Sequence, residues 1–123
     1  AMIAAPSMSN LIAKQRLNAT TRELASTLST ARSQAALLRR EVTVTLNNTS
    51  ENEQILLYWS PTANSSLTTS PTTTTVLFKP DGTVKDATSN ISFIICNSKA
   101  KKTKTIILAR TGTISMGTEG SCT

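Results

Sequence analysis

The stretch LNATTRELASTLSTARSQAALLRREVTVTL, residues 17–46, decides the fold. Its apolar positions Leu17, Leu24, Leu28, Ala31, Ala35 and Leu38 step by seven, then alternately by four and three. That spacing puts them on one stripe of an α-helix. The stripe closes at Arg39-Arg40, and from Val42 the period drops to two in Val42-Thr43-Val44-Thr45-Leu46, the alternation of a strand. One long amphipathic helix running straight into short strands is an α+β arrangement.

Upstream, residues 7–40 read as helix, with no Gly or Pro inside and Pro6 tolerated at or before the first turn. A helix of that length spans about 50 Å, longer than the rest of so small a chain is wide. Its N-terminal part, with Met8, Leu11 and Ile12, is therefore expected to protrude, its surface made basic by Lys14, Arg16 and Arg22. Ile3-Ala4-Ala5-Pro6 reads as the tail of an apolar run, so a hydrophobic segment is expected further upstream.

Downstream, strands are expected at Val42–Leu46, Ile55–Trp59, Thr75–Lys79, Asn90–Cys96, Thr103–Ala109 and Thr113–Met116. Pro80-Asp81-Gly82 makes a turn and Thr83-Val84-Lys85 a short returning arm. Asn97–Lys102 is a basic hairpin loop. Short strands with hairpin-length turns predict antiparallel sheet. The polar, acidic segment Asn47–Gln54 and the Ser/Thr/Pro/Asn tract Ser60–Thr74 read as surface loops, the second mobile. The whole, residues 1–123, is read as one unit: helix 7–40, then a β domain over 42–123.

Only 3% of the 123 residues are aromatic, so the core rests on Leu, Ile, Val and Ala and is thin. A cross-link would help. Cys96 and Cys122 are either two free buried thiols or a disulfide. The bridge is favoured because Cys122 lies in a Gly-Ser-Cys-Thr tail too polar to bury a thiol. Closing residues 96–122 is worth roughly 3.5 kcal/mol in the chain-entropy model, and a bridge implies an oxidising compartment. Histidine is absent, there is no phosphate-binding glycine loop, and two cysteines do not make a zinc site, so no catalytic constellation, metal or cofactor is predicted. The net charge of +6 favours acidic partners without choosing among them.

The order of parts resembles the GspH/FimT class of type IV pseudopilins and minor pilins. Leu28-Ser29-Thr30-Ala31-Arg32-Ser33-Gln34-Ala35 is similar to that class's L-x-x-A-R-S-E-A helix. Val76-Leu77-Phe78-Lys79-Pro80-Asp81-Gly82-Thr83 is similar to its strand and Pro-x-Gly turn, and Phe93-Ile94-Ile95-Cys96 to its cysteine strand. Ile106-Ile107-Leu108-Ala109-Arg110-Thr111-Gly112-Thr113-Ile114 is similar to its strand pair around a glycine, and Cys122 falls where the class often carries a second cysteine. The likeness runs from about Leu17 to the C-terminus.

The resemblance implies a type IV pilin-like fold, a long N-terminal helix on antiparallel sheet. It implies a non-enzymatic minor pilin or pseudopilin that helps initiate or cap a type IV pilus or a type II secretion pseudopilus. An inner-membrane anchor, methylation, a periplasmic domain and a final place in the surface fibre are implied with it. Leu17, Leu24, Leu28, Ala31, Ala35 and Leu38 would hold helix to sheet, and Met8, Leu11 and Ile12 would meet other minor and major pilins. Some members of the class take up DNA and would carry Gly-Arg-x-Arg where this chain has Gly112-Thr113-Ile114-Ser115. Both arginines are missing. The alternative reading, a DNA-binding minor pilin, rests on Lys99, Lys101, Lys102, Lys104 and Arg110, among which no aromatic residue is interleaved to stack bases. A solvated hairpin tip is the commoner meaning of such a charge run.

Overall fold

The computed structural model describes residues 8–62, 64–70 and 72–122, with residues 8–10 as backbone only. Helix α1 (Met8–Leu38) is followed by strands β1 (Val42–Leu46), β2 (Leu56–Trp59), β3 (Ser65–Ser70), β4 (Thr75–Phe78), β5 (Ile91–Asn97), β6 (Lys102–Leu108), β7 (Ile114–Met116) and β8 (Gly120–Ser121). The 31 residues of α1 make a rod about 46 Å long at 1.5 Å per residue.

The buried face of the helix is Ala13, Leu17, Thr20, Thr21, Leu24, Leu28, Ala31 and Ala35. The seven-residue step in the apolar pattern is filled by the two threonines. Thr21 Oγ1 donates to the Leu17 carbonyl at 2.7 Å, and the Thr20 and Thr62 hydroxyls hydrogen-bond each other. Buried hydroxyls with partners inside the structure avoid the penalty of unpaired polar groups. Full burial of each leucine contributes roughly 1.5–3 kcal/mol. Leu38, expected on the same stripe, is only half-buried and lies outside the core cluster. The reason is that the helix stops there. Arg39 takes φ +54° and Arg40 N donates to the Ala35 carbonyl at 3.3 Å, the bond of a Schellman cap, so the expected helical end at residue 40 is two residues too far.

Two sheets pack under the helix. The first has the order β2-β1-β4, and the second the order β3-β5-β6-β7 with β8 also on β6. Each presents its alternate residues to α1: Val42, Val44 and Leu46, Leu57 and Trp59, Val76 and Phe78, Ile91, Phe93 and Ile95, Ile106 and Leu108. Helix and strands thus close a single core.

Three expectations are corrected. The first sheet is mixed, because β1 and β2 pair in parallel with Thr43 opposite Leu56 and Leu46 opposite Trp59. Residues 47–55 make this possible by running back beside β2, where Asn52 Oδ1 accepts from Tyr58 N at 2.8 Å. The tract Ser60–Thr74 is not all loop, since β3 runs through it in register with β5, Leu67 facing Ile95. The returning arm at Val84 does pair back, through one antiparallel bridge to Phe78, with Lys85 N donating to Leu77 O at 2.8 Å. The polar tail, in turn, contributes β8, which pairs Gly120 with Thr103 and Ser121 with Lys102.

Candidate functional site

Three segments far apart in the chain meet at Arg32. The turns Lys79–Thr83 and Ala109–Thr113 are built alike. In each, the glycine N–H donates three residues back at 2.8 Å, to Lys79 O or Ala109 O, and the first residue's N–H donates to the fifth's carbonyl. Gly82 and Gly112 have φ of +89° and +90°. This is a type I turn closed by a left-handed glycine, the usual three-residue hairpin connection. The two turns are tied together by Val84 N donating to Arg110 O at 2.9 Å. Arg32 Nε donates to the Gly82 carbonyl at 3.2 Å from the helix above. A Cβ on Gly112 would fall well inside contact distance of the Gly82 oxygen and 2.8 Å from Arg32 Nε. The helix arginine, the Pro-Asp-Gly turn and the glycine after β6 therefore form one junction that holds α1 to both sheets.

Arg32→Ala is expected to lower stability by about 1 kcal/mol, less than a buried bond to a charged group is worth because the side chain is exposed. Urea denaturation reads it. At the tip of the first turn Asp81 Oδ1 accepts from Thr83 Oγ1 at 2.6 Å and from Thr83 N at 3.0 Å. The Thr83 hydroxyl, then its amide, hold the Asp81 carboxyl below the ordinary value of 3.8. A depressed carboxylate contributes stability above its unfolded value that is lost as pH falls through the folded one. Asp81 is solvent-exposed, so the effect is local: an NMR titration should give a midpoint below 3.8, moving back toward 3.8 in Thr83→Val.

A second assembly lies at the other end of α1. A hollow of about 190 Å³ is lined by Ile12, Ala13, Arg16, Asn64, Asn97 and Lys99. Leu11 and Ile12 are 49% and 42% exposed, while Ala13, one residue on, is 2% exposed. The body thus reaches Ala13, with Leu11 and Ile12 at its rim. The Met8 side chain lies outside the described residues. Asn97 is buried and organises the β5–β6 hairpin. Its Oδ1 accepts from Lys99 N and Ala100 N at 3.0 and 2.9 Å, and its carbonyl accepts from Lys101 N at 2.8 Å.

The five cations singled out in the sequence are not brought to one place. Lys99, Lys101 and Lys102 share the β5–β6 hairpin. Lys104 is 3.5 Å from Glu119. Arg110 sits beyond the opposite end of β6, in the Gly112 turn. Cys96 and Cys122 are bridged, with their Cα atoms 6.2 Å apart. Cys96 is on the face of β5 turned away from the helix, and the bridge fastens β8 to the hairpin, where Cys122 N donates to Lys101 O at 3.0 Å. The sequence pattern did not single out Asn97. Its only signal is its place directly before a lysine-rich turn, where an Asx side chain can cap the amides ahead of it.

Among the described residues no group of three or more His, Cys, Asp or Glu side chains could hold a metal, and no helix is long and apolar enough to cross a membrane. Gln34 Oε1 and Trp59 Nε1 are buried without a hydrogen-bond partner.

A long helix thus lies on two small sheets, stapled by a disulfide and a double-glycine junction. The family model for the type II transport protein GspH matches residues 20–112, and the chain belongs to that family. The match includes Arg32, Gly82 and Gly112. No curated protein sequence matches the chain. Among solved structures, two crystal forms of the Pseudomonas aeruginosa (strain PAO1) type IV minor pilin FimU share the fold. The form in space group P21 superposes with a TM-score of 0.70 at 17% identity, covering 89% of this chain and 97% of that one. The form in P65 gives 0.68 at 18% identity, covering 87% and 100%.

Proposed function

We propose that this chain is a minor pilin or pseudopilin, a structural subunit that helps initiate or cap a type IV pilus or a type II secretion pseudopilus. The family has a structural, pilus-related role, and the finer assignment is supported chiefly by one observation. The N-terminal end of α1 carries two large apolar residues, Leu11 and Ile12, exposed at the rim of the body. A helix whose apolar surface continues past the edge of its own domain is suited to packing against other helices. Leu11 and Ile12 would meet neighbouring pilins, with a hydrophobic segment upstream anchoring the chain in the inner membrane before assembly. Leu17, Leu24, Leu28, Ala31 and Ala35 would keep the helix seated on the sheets, so that pulling on the helix moves the whole body.

The test is fibre assembly by the full-length protein in its own bacterium. Removing the gene should abolish or sharply reduce surface fibres or secretion. The wild-type gene should restore them, and Leu11→Arg with Ile12→Arg should not. Normal fibres without the gene would overturn the reading. The DNA-uptake alternative is weakened by the division of its five cations between two ends of β6 and by the Lys104–Glu119 pair.

A further inference from the structure

We propose that the end of the molecule formed by the first turns of α1 and the β5–β6 hairpin docks on an anionic phospholipid surface. This rests on the membrane-anchored reading above for the bilayer lying beside that end. The surface chemistry comes from the structure itself.

Leu11 and Ile12 stand exposed on the first turns of α1, and Ile12 lines the hollow together with Arg16 and Lys99. Lys14 and Arg16 on the same turns and Lys99 and Lys101 on the hairpin turn are exposed, with Lys102 half-buried at the start of β6. No carboxylate lines the hollow between helix and hairpin. Glu23 lies farther along α1, in the next hollow, which Arg16 also borders. Glu119 is occupied with Lys104. The lysines are carried on a fixed turn: Asn97 caps it, and the bridged Cys122, just after β8, donates its N–H to the Lys101 carbonyl. A fixed array of cations meets a charged surface with less ordering cost than a mobile loop would.

Exposed apolar residues beside cations suit the headgroup boundary of a bilayer. Apolar side chains enter the acyl edge while lysines and arginines approach the phosphates. A nucleic acid would use the cations alone and leave Leu11 and Ile12 in water, since phosphate contacts are polar. Of the two anionic surfaces the bilayer is the one that uses both features, Leu11 and Ile12 meeting it before assembly and neighbouring pilins in the fibre.

Co-sedimentation of this chain with vesicles tests the proposal. The probes are phosphatidylcholine alone and phosphatidylcholine mixed with phosphatidylglycerol, each at low and at physiological salt, with a double-stranded oligonucleotide as competitor. Binding is expected only to the phosphatidylglycerol vesicles, and it should weaken as salt rises. Lys99→Gln should weaken it about fivefold and the triple change Lys99→Gln, Lys101→Gln, Lys102→Gln roughly 100-fold, from about fivefold per lysine near such a surface. Leu11→Ser with Ile12→Ser should also weaken it. A second triple variant, Arg39→Gln, Arg40→Gln, Arg110→Gln, removes as many charges away from this end and should change binding by about threefold or less at physiological salt, because distant charges are screened. Equal losses from the two triple variants would reduce the effect to net charge and overturn the proposal. So would binding independent of phosphatidylglycerol, or displacement of the protein from vesicles by the oligonucleotide at equal charge. None of these failures touches the pilin reading, which stands or falls on fibre assembly.

Discussion

Gly112→Ala is expected to cost about 3–4 kcal/mol, a large share of the roughly 5–15 kcal/mol that keeps a domain folded. Two penalties combine. An alanine held at a positive φ costs about 1–2 kcal/mol, and Gly112 sits at +90°. The new methyl group would also overlap the Gly82 carbonyl, which belongs to the backbone of another tight turn and cannot swing aside. Forcing volume into such a contact costs roughly 1–3 kcal/mol. Gly82→Ala provides the contrast. Its φ is nearly the same, +89°, yet its Cβ would meet only Arg32 Nε, at 3.0 Å, and a flexible side chain can move. Its cost should be about 1–2 kcal/mol. In an Arg32→Ala background the cost of Gly82→Ala should shrink while that of Gly112→Ala persists. Urea melts of the wild type and the five variants decide it, and equal costs at the two glycines would remove the junction as an explanation.

Cys96→Ala with Cys122→Ala is the other large effect, about 3.5 kcal/mol, read as a fall in Tm of roughly 10–20 °C. The thin core makes the loss consequential. Part of the effect should be local. β8 is two residues long and pairs with β6 only at Lys102 and Thr103. Without the bridge its amides, and that of Cys122, should exchange with solvent far faster than those of β5. Intact mass with and without reductant reports the bridge directly, and a melting temperature insensitive to reductant would contradict its assigned weight.

The parts legible in the sequence were those whose periodicity is local. The helical stripe from Leu17 to Ala35, the alternation of β1 and the Ile-rich β5 and β6 each declare themselves within a few residues, because burial on one face imposes a period. The Pro-Asp-Gly turn declared itself through its glycine. β3 did not, because Ser65–Ser70 contains one apolar residue, Leu67, and becomes a strand by pairing with β5. Nor did Thr20 and Thr21, polar residues whose burial depends on a partner supplied by Thr62 and on the helix's own carbonyl. The basic run looked continuous in sequence. A strand seven residues long lies between Lys101 and Ala109, so Arg110 ends up apart from the hairpin lysines.

The sequence alone determined that a long amphipathic helix leads into a β-rich body, that Cys96 and Cys122 are the pair available for a cross-link, and that the order of motifs resembles that of one family. Only the tertiary structure decided that β1 and β2 run parallel, that the strands divide into two sheets, and that Arg32, Gly82 and Gly112 are one junction. The division has a physical cause. Side-chain periodicity follows from the geometry of a single element. Which edges pair, and which turns touch, follows from hydrogen bonds and packing between elements that no local stretch of chain encodes.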